Sequence, residues 1–383
     1  MFLYFTYQVD SYEKKQSDEI GIFCQYPFFL VILRGKATGR YSVYSVDVLQ
    51  RDSVNHFFSG YEYVMLETNE NCLLGEVKGM KVYDSVIGIR ERERILLFGH
   101  DGKFISKIDK KGRGAGEYLS VEDFCVRDSL VYVLSGAYKS ILVYGMSGTF
   151  VRKIELGDWY GHFEVLDDEL MFLSSEYNNE KRYNFVVFNY VKQEDAAVFS
   201  PFETNEGVAF GDFLPFCGTY DNGRYAILPF DCTYTVYQLD KSGFTSHCRF
   251  EFNTEDRLEE GMPLFDLYQR TSGRDVVRYL GLYEECNGSI YVTFDLFTTK
   301  GGIGTFVYKV GSDKKSYLMR LQEKHIPTYP YVSSPYGVYK GSFYSIVEPS
   351  TIMYIENQYG LSLFRDKGLT EENNPVVFFH KLK

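Results

Sequence analysis

One apolar run of four residues, closed on an aromatic residue each time, occurs six times along the chain. The copies are Ile95-Leu96-Leu97-Phe98, Ile141-Leu142-Val143-Tyr144, Phe185-Val186-Val187-Phe188, Tyr234-Thr235-Val236-Tyr237, Thr305-Phe306-Val307-Tyr308 and Val376-Val377-Phe378-Phe379. Their last residues are 46, 44, 49, 71 and 71 positions apart, the length of a propeller blade with extra segments in the last two units. A short continuous apolar run reads as a strand buried on both faces. Six such strands need six small sheets covered on both sides, and packing each sheet radially between two neighbours does this while leaving only short edges.

A second apolar segment lies upstream of each run: Val86-Ile87, Val131 to Leu134, Leu170 to Leu173, Tyr225 to Leu228, Ile290 to Val292 and Phe343 to Ile346. Turn signals precede these segments at Asp84-Ser85, Asp128-Ser129, Asp167-Asp168-Glu169, Asp221-Asn222-Gly223, Asn287-Gly288 and Lys340-Gly341. Asx and Gly tolerate the positive φ of tight hairpins, so a further strand is expected before each turn. After the first two runs, Gly102 and Gly148 lead into Lys103-Phe104-Ile105 and Thr149-Phe150-Val151, a turn feeding a fourth strand. The expected fold is all-β, a six-bladed β-propeller of four-stranded antiparallel blades. Composition agrees, with 32 Phe, 34 Tyr and 34 Gly in 383 residues favouring short strands joined by turns.

Only His380-Lys381-Leu382-Lys383 follows the last run, so the sixth blade has no fourth strand of its own. Tyr61–Leu66 alternates as a strand, precedes the first blade and is otherwise spare. It is expected to supply the missing outer strand, closing the ring with an N-terminal strand. A rival registration makes Leu361–Phe364 the repeated run and lets the C-terminus close the ring. The two longer intervals hold the candidate helices, Glu255–Tyr268 and about Pro349–Gln358.

The propeller is expected over residues 43–383, with 1–42 a leader or poorly ordered segment. Ile20–Leu33 is broken by Gln25 and Pro27 and is too short to span a bilayer as a helix. Gly21-Ile22-Phe23 ahead of Cys24 do not make a lipoprotein signal, because the position just before the cysteine should be small and is Phe23. No transmembrane helix is expected.

A formal charge of −11 repels phosphate backbones, so nucleic acid is not an expected partner. The seven cysteines include no C-x-x-C pair and are read as buried thiols. Six histidines are scattered, and only His162 falls near the start of an expected innermost strand. No metal centre or cofactor is expected, and the hydrolase, metalloprotease, nucleotide and calcium-loop motifs are absent. No catalytic residue is assigned. The sequence favours a binding or scaffolding propeller, monomeric, that recognises a protein, peptide or glycan on one disc face. The alternative is a propeller lactonase or lyase, whose axial metal would need carboxylates and imidazoles converging from several blades.

Strand order puts the loops leading into the innermost strands on one face. That face is expected to gather Arg113, Glu117 and Tyr118 from the first crossover, Trp159, Tyr160 and His162 from the second, and Tyr336 from the last. Gly112, Gly114 and Gly116 form a structural glycine loop, with Gly114 expected at positive φ. A strand follows them rather than the helix a dinucleotide site needs. Lys110, Lys111 and Arg113 leave an anion nest open, and Glu117 is expected to pair with Arg113 or cap local amides. Tyr329-Pro330-Tyr331 either stacks a ligand or packs between blades, and Arg90 to Arg94 reads as a solvated hairpin.

The stretch Lys111-Gly112-Arg113-Gly114-Ala115-Gly116-Glu117-Tyr118, between Phe104-Ile105-Ser106-Lys107-Ile108 and Val121-Glu122-Asp123-Phe124, resembles the bacterial 6-bladed beta-propeller family of the TolB-like and NHL-like group. Its members carry a G-x-G-x-G-E-Y stretch between the first two blades. Tyr63 to Thr68 resembles the family's opening strand and Asn374-Pro375-Val376-Val377 its close, so the likeness runs over about residues 50–383. Ala115 stands where the family usually has Pro. The resemblance implies the propeller fold and a cell-envelope or periplasmic location. It implies no catalytic residues, and the relatives' export signal has no convincing counterpart here.

Overall fold

The six apolar runs are the third strands of six sheets, and they are buried along their length except at Tyr234 and Thr305, which are half-buried. In this computed structural model the sheets stand in a ring as a six-bladed propeller of antiparallel, four-stranded blades. The structure describes residues 31–34, 41–175, 184–200, 216–219, 225–228, 234–240, 243–254, 256–257, 275–298, 303–321 and 329–383. The innermost strands are Val77–Val82, Asp123–Arg127, His162–Val165, Phe216–Thr219, Val276–Cys286 and Gly337–Tyr339. They approach one another around the axis.

Turn chemistry sets the hairpins. Asp128 and Ser129 (φ 50° and 63°), Asn287 and Gly288 (51° and 71°) and Lys340 and Gly341 (47° and 67°) are consecutive left-handed pairs, whose twist matches the strands they join. The turn expected at Asp221-Asn222-Gly223 lies outside the described residues. Close interblade packing also needs Gly88, where a Cβ would fall 2.5 Å from the Phe124 ring of the next blade.

The N-terminal strand closes the ring. Phe58–Met65 lies antiparallel to Val376–Leu382, with Glu62 opposite Phe379 and Val64 opposite Val377. The rival registration is excluded, because Leu361–Phe364 lies in irregular chain after a helix, with Phe364 packed into the core. That helix, Pro349–Tyr359, begins on Pro349 and ends at Gly360 (φ 65°), as Pro at N1 and a left-handed glycine cap dictate. Its buried Glu356 accepts the amides of Phe364 (2.7 Å) and Arg365 (3.2 Å). The other expected helix, Glu255–Tyr268, lies outside the described residues apart from Asp256 and Arg257.

Described segments ahead of the closing strand lie on the outer rim. Val31–Arg34 pairs in parallel with the outermost strand of the third blade, Glu194–Ser200, and Ser42–Val46 with that of the fourth, Gly243–Phe252. On the fifth blade the Asp52 amide donates to the Leu318 carbonyl and the Asp52 carboxylate accepts the Leu318 amide, both at 2.8 Å. These parallel additions have no hairpin turn to announce them in the sequence.

Tyr329 and Tyr331 are buried, Tyr331 stacking on Phe378 at 5.0 Å, so packing is what this cluster does. The Arg90–Arg94 hairpin is less solvated than expected: Glu91 is buried and paired with Arg94, and Arg90 donates to the Val121 carbonyl at 2.8 Å. Cys72, Cys125 and Cys248 are buried free thiols and Cys286 a half-buried one. No helix among the described residues is long and apolar enough to cross a membrane.

Candidate functional site

Six innermost strands leave a channel along the axis, and polar residues on inward positions of these strands line it. Lys81 of the first blade, Asp123 of the second and Glu164 of the third meet there. Lys81 Nζ lies 3.1 Å from Asp123 Oδ2, 3.4 Å from Glu164 Oε2 and 3.4 Å from the Phe163 carbonyl. The rings of Phe124 and Phe163 stand 5.9 and 5.8 Å from the same ammonium, within cation–π range. Asp123 also accepts the amides of Phe124 (2.8 Å) and Phe163 (3.2 Å), and His162 Nδ1 is 3.7 Å away. The free oxygen of Glu164 accepts the Cys125 thiol at 2.9 Å.

Burial opposes the charge on Lys81, but Asp123 and Glu164 outweigh it and hold the ammonium above its ordinary range. Burial likewise opposes the Asp123 carboxylate, and Lys81 and His162 reverse this and hold it well below the usual range. For Glu164 burial prevails over Lys81 and the carboxyl is raised. Burial, with Glu164 or Cys125 beside it, pushes the Cys125 thiol and Tyr83 phenol well above their ordinary values. Lys81, Cys125 and Tyr83 are thereby favoured in their protonated forms.

Two cavities meet at this cluster, and Lys81, Asp123, His162 and Tyr336 line both. The smaller, about 240 Å³, opens on the upper face, where the loops lead into the innermost strands, and is edged by Glu76, Lys78 and Glu122. The larger, about 560 Å³, opens on the opposite, lower face. Phe163, Tyr225, Tyr336 and Tyr344 wall it, and Asp84, Arg127, Glu284 and Lys340 bring charge to it. Burial, and next the neighbouring Glu285, raise the Glu284 carboxyl to about 7.

Of the seven residues expected on the recognition face, His162 and Tyr336 reach the channel. Arg113, Glu117 and Trp159 line neither cavity. Arg113 is exposed and Trp159 is 45% exposed, beside Gly136, where a Cβ would sit 3.0 Å from the indole. Tyr118 is fully buried between the first two blades, its hydroxyl 2.6 Å from the Glu93 carbonyl and accepting the Lys110 amide at 3.1 Å. Tyr160 is buried between the second and third blades. Both serve as packing, which takes them off any contact surface. In the glycine loop Glu117 accepts the Gly114 amide at 2.7 Å, an amide cap. The left-handed residue is Gly116 (φ 75°) and not Gly114, which corrects the expected strain.

Sequence reasoning missed Lys81, Asp123, Glu164 and Glu284. A signal was present in Met80-Lys81-Val82 and Phe163-Glu164-Val165, where one charge interrupts an apolar strand. Among the described residues no three His, Cys, Asp or Glu side chains are placed to hold a metal ion. Lys81 already spans the carboxylates that an axial metal would use.

Residues 43–381 match the family described as a domain of unknown function, DUF4934, and the chain belongs to that family. No curated protein matches it. Among solved structures it is similar to a Bacteroides fragilis protein described as a candidate exported protein, at 16% identity and a TM-score of 0.68, over 89% of this chain and 100% of that one. It is also similar to a member of the DUF4221 family from Bacteroides vulgatus, at 11% identity and a TM-score of 0.51, over 85% of this chain and 97% of that one. At these identities the likeness carries the fold.

Proposed function

We propose that this DUF4934 propeller is a non-enzymatic binding protein that holds a protein, peptide or glycan ligand on a disc face, over a mouth of the axial channel. One observation carries the reading: a walled axial cavity brings the rings of Phe163, Tyr225, Tyr336 and Tyr344 together with a few charged side chains at a mouth of the channel. Concave sites with aromatic walls and a few placed polar groups are what ligands occupy. Tyr336 and His162, which line both cavities, are the contacts proposed at the channel; Arg113, Glu117 and Trp159 stand on the upper face, away from the mouth of the larger cavity.

The reading takes the chain as a monomer, because the ring closes within one chain and neighbouring blades cover one another. An envelope or periplasmic location belongs to it too, supported by the description of the Bacteroides fragilis protein and by the resemblance of residues 111–118 to TolB-like and NHL-like propellers. A second reading, a lactonase or lyase, draws on Glu284, whose carboxyl near 7 suits proton transfer. Its metal-dependent form is disfavoured by the Lys81 bridge.

Glycan and peptide arrays probed with the labelled full chain test the proposal. A ligand should bind without being cleaved, and Tyr336→Ala should weaken it at least 10-fold. Blank arrays, insensitivity to that substitution, or turnover of the bound ligand would each overturn it.

A further inference from the structure

Most charged groups in the larger cavity are already spent on one another. Lys81 bridges Asp123 and Glu164, Lys340 pairs with Asp84 at 2.8 Å, and Arg127 donates to the Leu166 carbonyl at 2.9 Å and to Asp128 at 3.1 Å. The Tyr339 hydroxyl likewise donates to Asp84, at 3.0 Å. Glu284 differs. The residue lines the cavity but its carboxylate makes no hydrogen bond or ion pair among the described residues, whereas its neighbour Glu285 holds His247 at 2.5 Å and Tyr283 at 2.6 Å. A secluded carboxylate without a partner costs free energy that a cation brought from outside would recover.

We infer that the larger cavity receives the cationic side chain of a lysine or arginine presented by a peptide ligand, with Glu284 as its counter-ion. The inference rests on the binding reading and deepens it. Among the described residues the cavity offers one unspent carboxylate within aromatic walls, which suits a single cation on an apolar stem. The stem lies against Phe163, Tyr225 and Tyr344, and ring faces attract the cation as it passes. An amino sugar carries its ammonium among several hydroxyls, which the rings of Phe163, Tyr225 and Tyr344 suit less well than an alkyl stem.

Calorimetry on the full chain, with N-acetyl-lysine methylamide, its arginine counterpart, the neutral N-acetyl-norleucine methylamide and glucosamine, tests this. A cationic amino-acid probe should bind at least 10-fold more tightly than the norleucine probe. Glu284→Gln, which keeps the cavity's shape, should remove that preference, while Glu371→Gln, at an exposed carboxylate that lines neither cavity, should leave it intact. Equal binding of the lysine and norleucine probes overturns the cation and leaves the binding reading standing. Tighter binding of glucosamine overturns the peptide source. If no probe binds while an array ligand does, this inference alone falls, and if the arrays are blank as well, both fall.

Discussion

Tyr63, near the start of the fold, stands directly opposite Phe378, near its end, their ring centroids 6.2 Å apart across the ladder that closes the ring. Every other blade is finished by the strand that follows its third, so this pair marks the joint where the circle depends on chain termini meeting. Removing residues 1–66 takes away the closing strand and leaves Val376–Leu382 as an open edge. That truncation should lose the single cooperative thermal transition. Among the described residues, removing residues 1–40 takes away the parallel strand on the third blade alone, and it should lower the midpoint by a few degrees at most. Equal melting of the two truncations, followed by circular dichroism, would refute closure by this strand.

Gly116 and Gly114 separate strain from mere proximity. At Gly116 the backbone is left-handed (φ 75°) and a Cβ would lie 2.5 Å from the Phe150 ring, whereas at Gly114 it would meet only the Glu117 carboxylate, at 3.1 Å. Gly116→Val should cost about 2–4 kcal/mol from backbone strain and overpacking together. Gly114→Ala should stay within about 1 kcal/mol, since a flexible side chain can give way. Urea denaturation of both variants decides, and similar losses would remove the distinction.

Much of the fold was legible because burial repeats. Ile95–Phe98 and its five counterparts face packed neighbours on both sides, so selection against water leaves the same apolar run in each blade. Asn287-Gly288 and Lys340-Gly341 were legible for a local reason, the left-handed backbone of the hairpin. Innermost strands are different: each has one side on the channel, so Lys81, Asp123 and Glu164 occur once apiece and form no motif. Tyr118 misled because an aromatic beside a glycine loop looks the same in sequence whether its ring plugs the core or meets solvent. The parallel strand Ser42–Val46 left no turn or alternation strong enough to read.

The Lys81–Asp123 bridge at 3.1 Å should be strongly coupled. Lys81→Met strands a buried carboxylate and should destabilise the ring by about 3–5 kcal/mol. Asp123→Asn added to it should cost less than the two separate losses combined, leaving a coupling of about 1–3 kcal/mol in a double-mutant cycle. Additive losses would show that the two groups do not depend on one another.

His380 lies on the closing ladder among Phe58, Tyr61 and Phe378, their centroids 5.4, 6.0 and 6.1 Å from its ring. Burial lowers its imidazole to about 4, so below about 6.5 the unfolded chain takes up a proton that the folded chain refuses. Its contribution to stability is complete above about 6.5 and drains away as pH falls toward 4, by on the order of 2–3 kcal/mol. Glu284 runs the other way: with its carboxyl raised to about 7, the folded form is favoured below about 4.5, and that advantage is lost as pH rises through 7. The two groups therefore offset one another between about pH 4.5 and 6.5, and only single variants expose them. His380→Phe, which suits the surrounding rings, should flatten the acid limb of the stability profile. Glu284→Gln should gain more at pH 8 than at pH 5, by about 1–3 kcal/mol. Urea midpoints of the wild type and both variants from pH 8 to pH 4 measure this. An unchanged acid limb in His380→Phe would mean that the closing ladder opens to water before the imidazole is protonated.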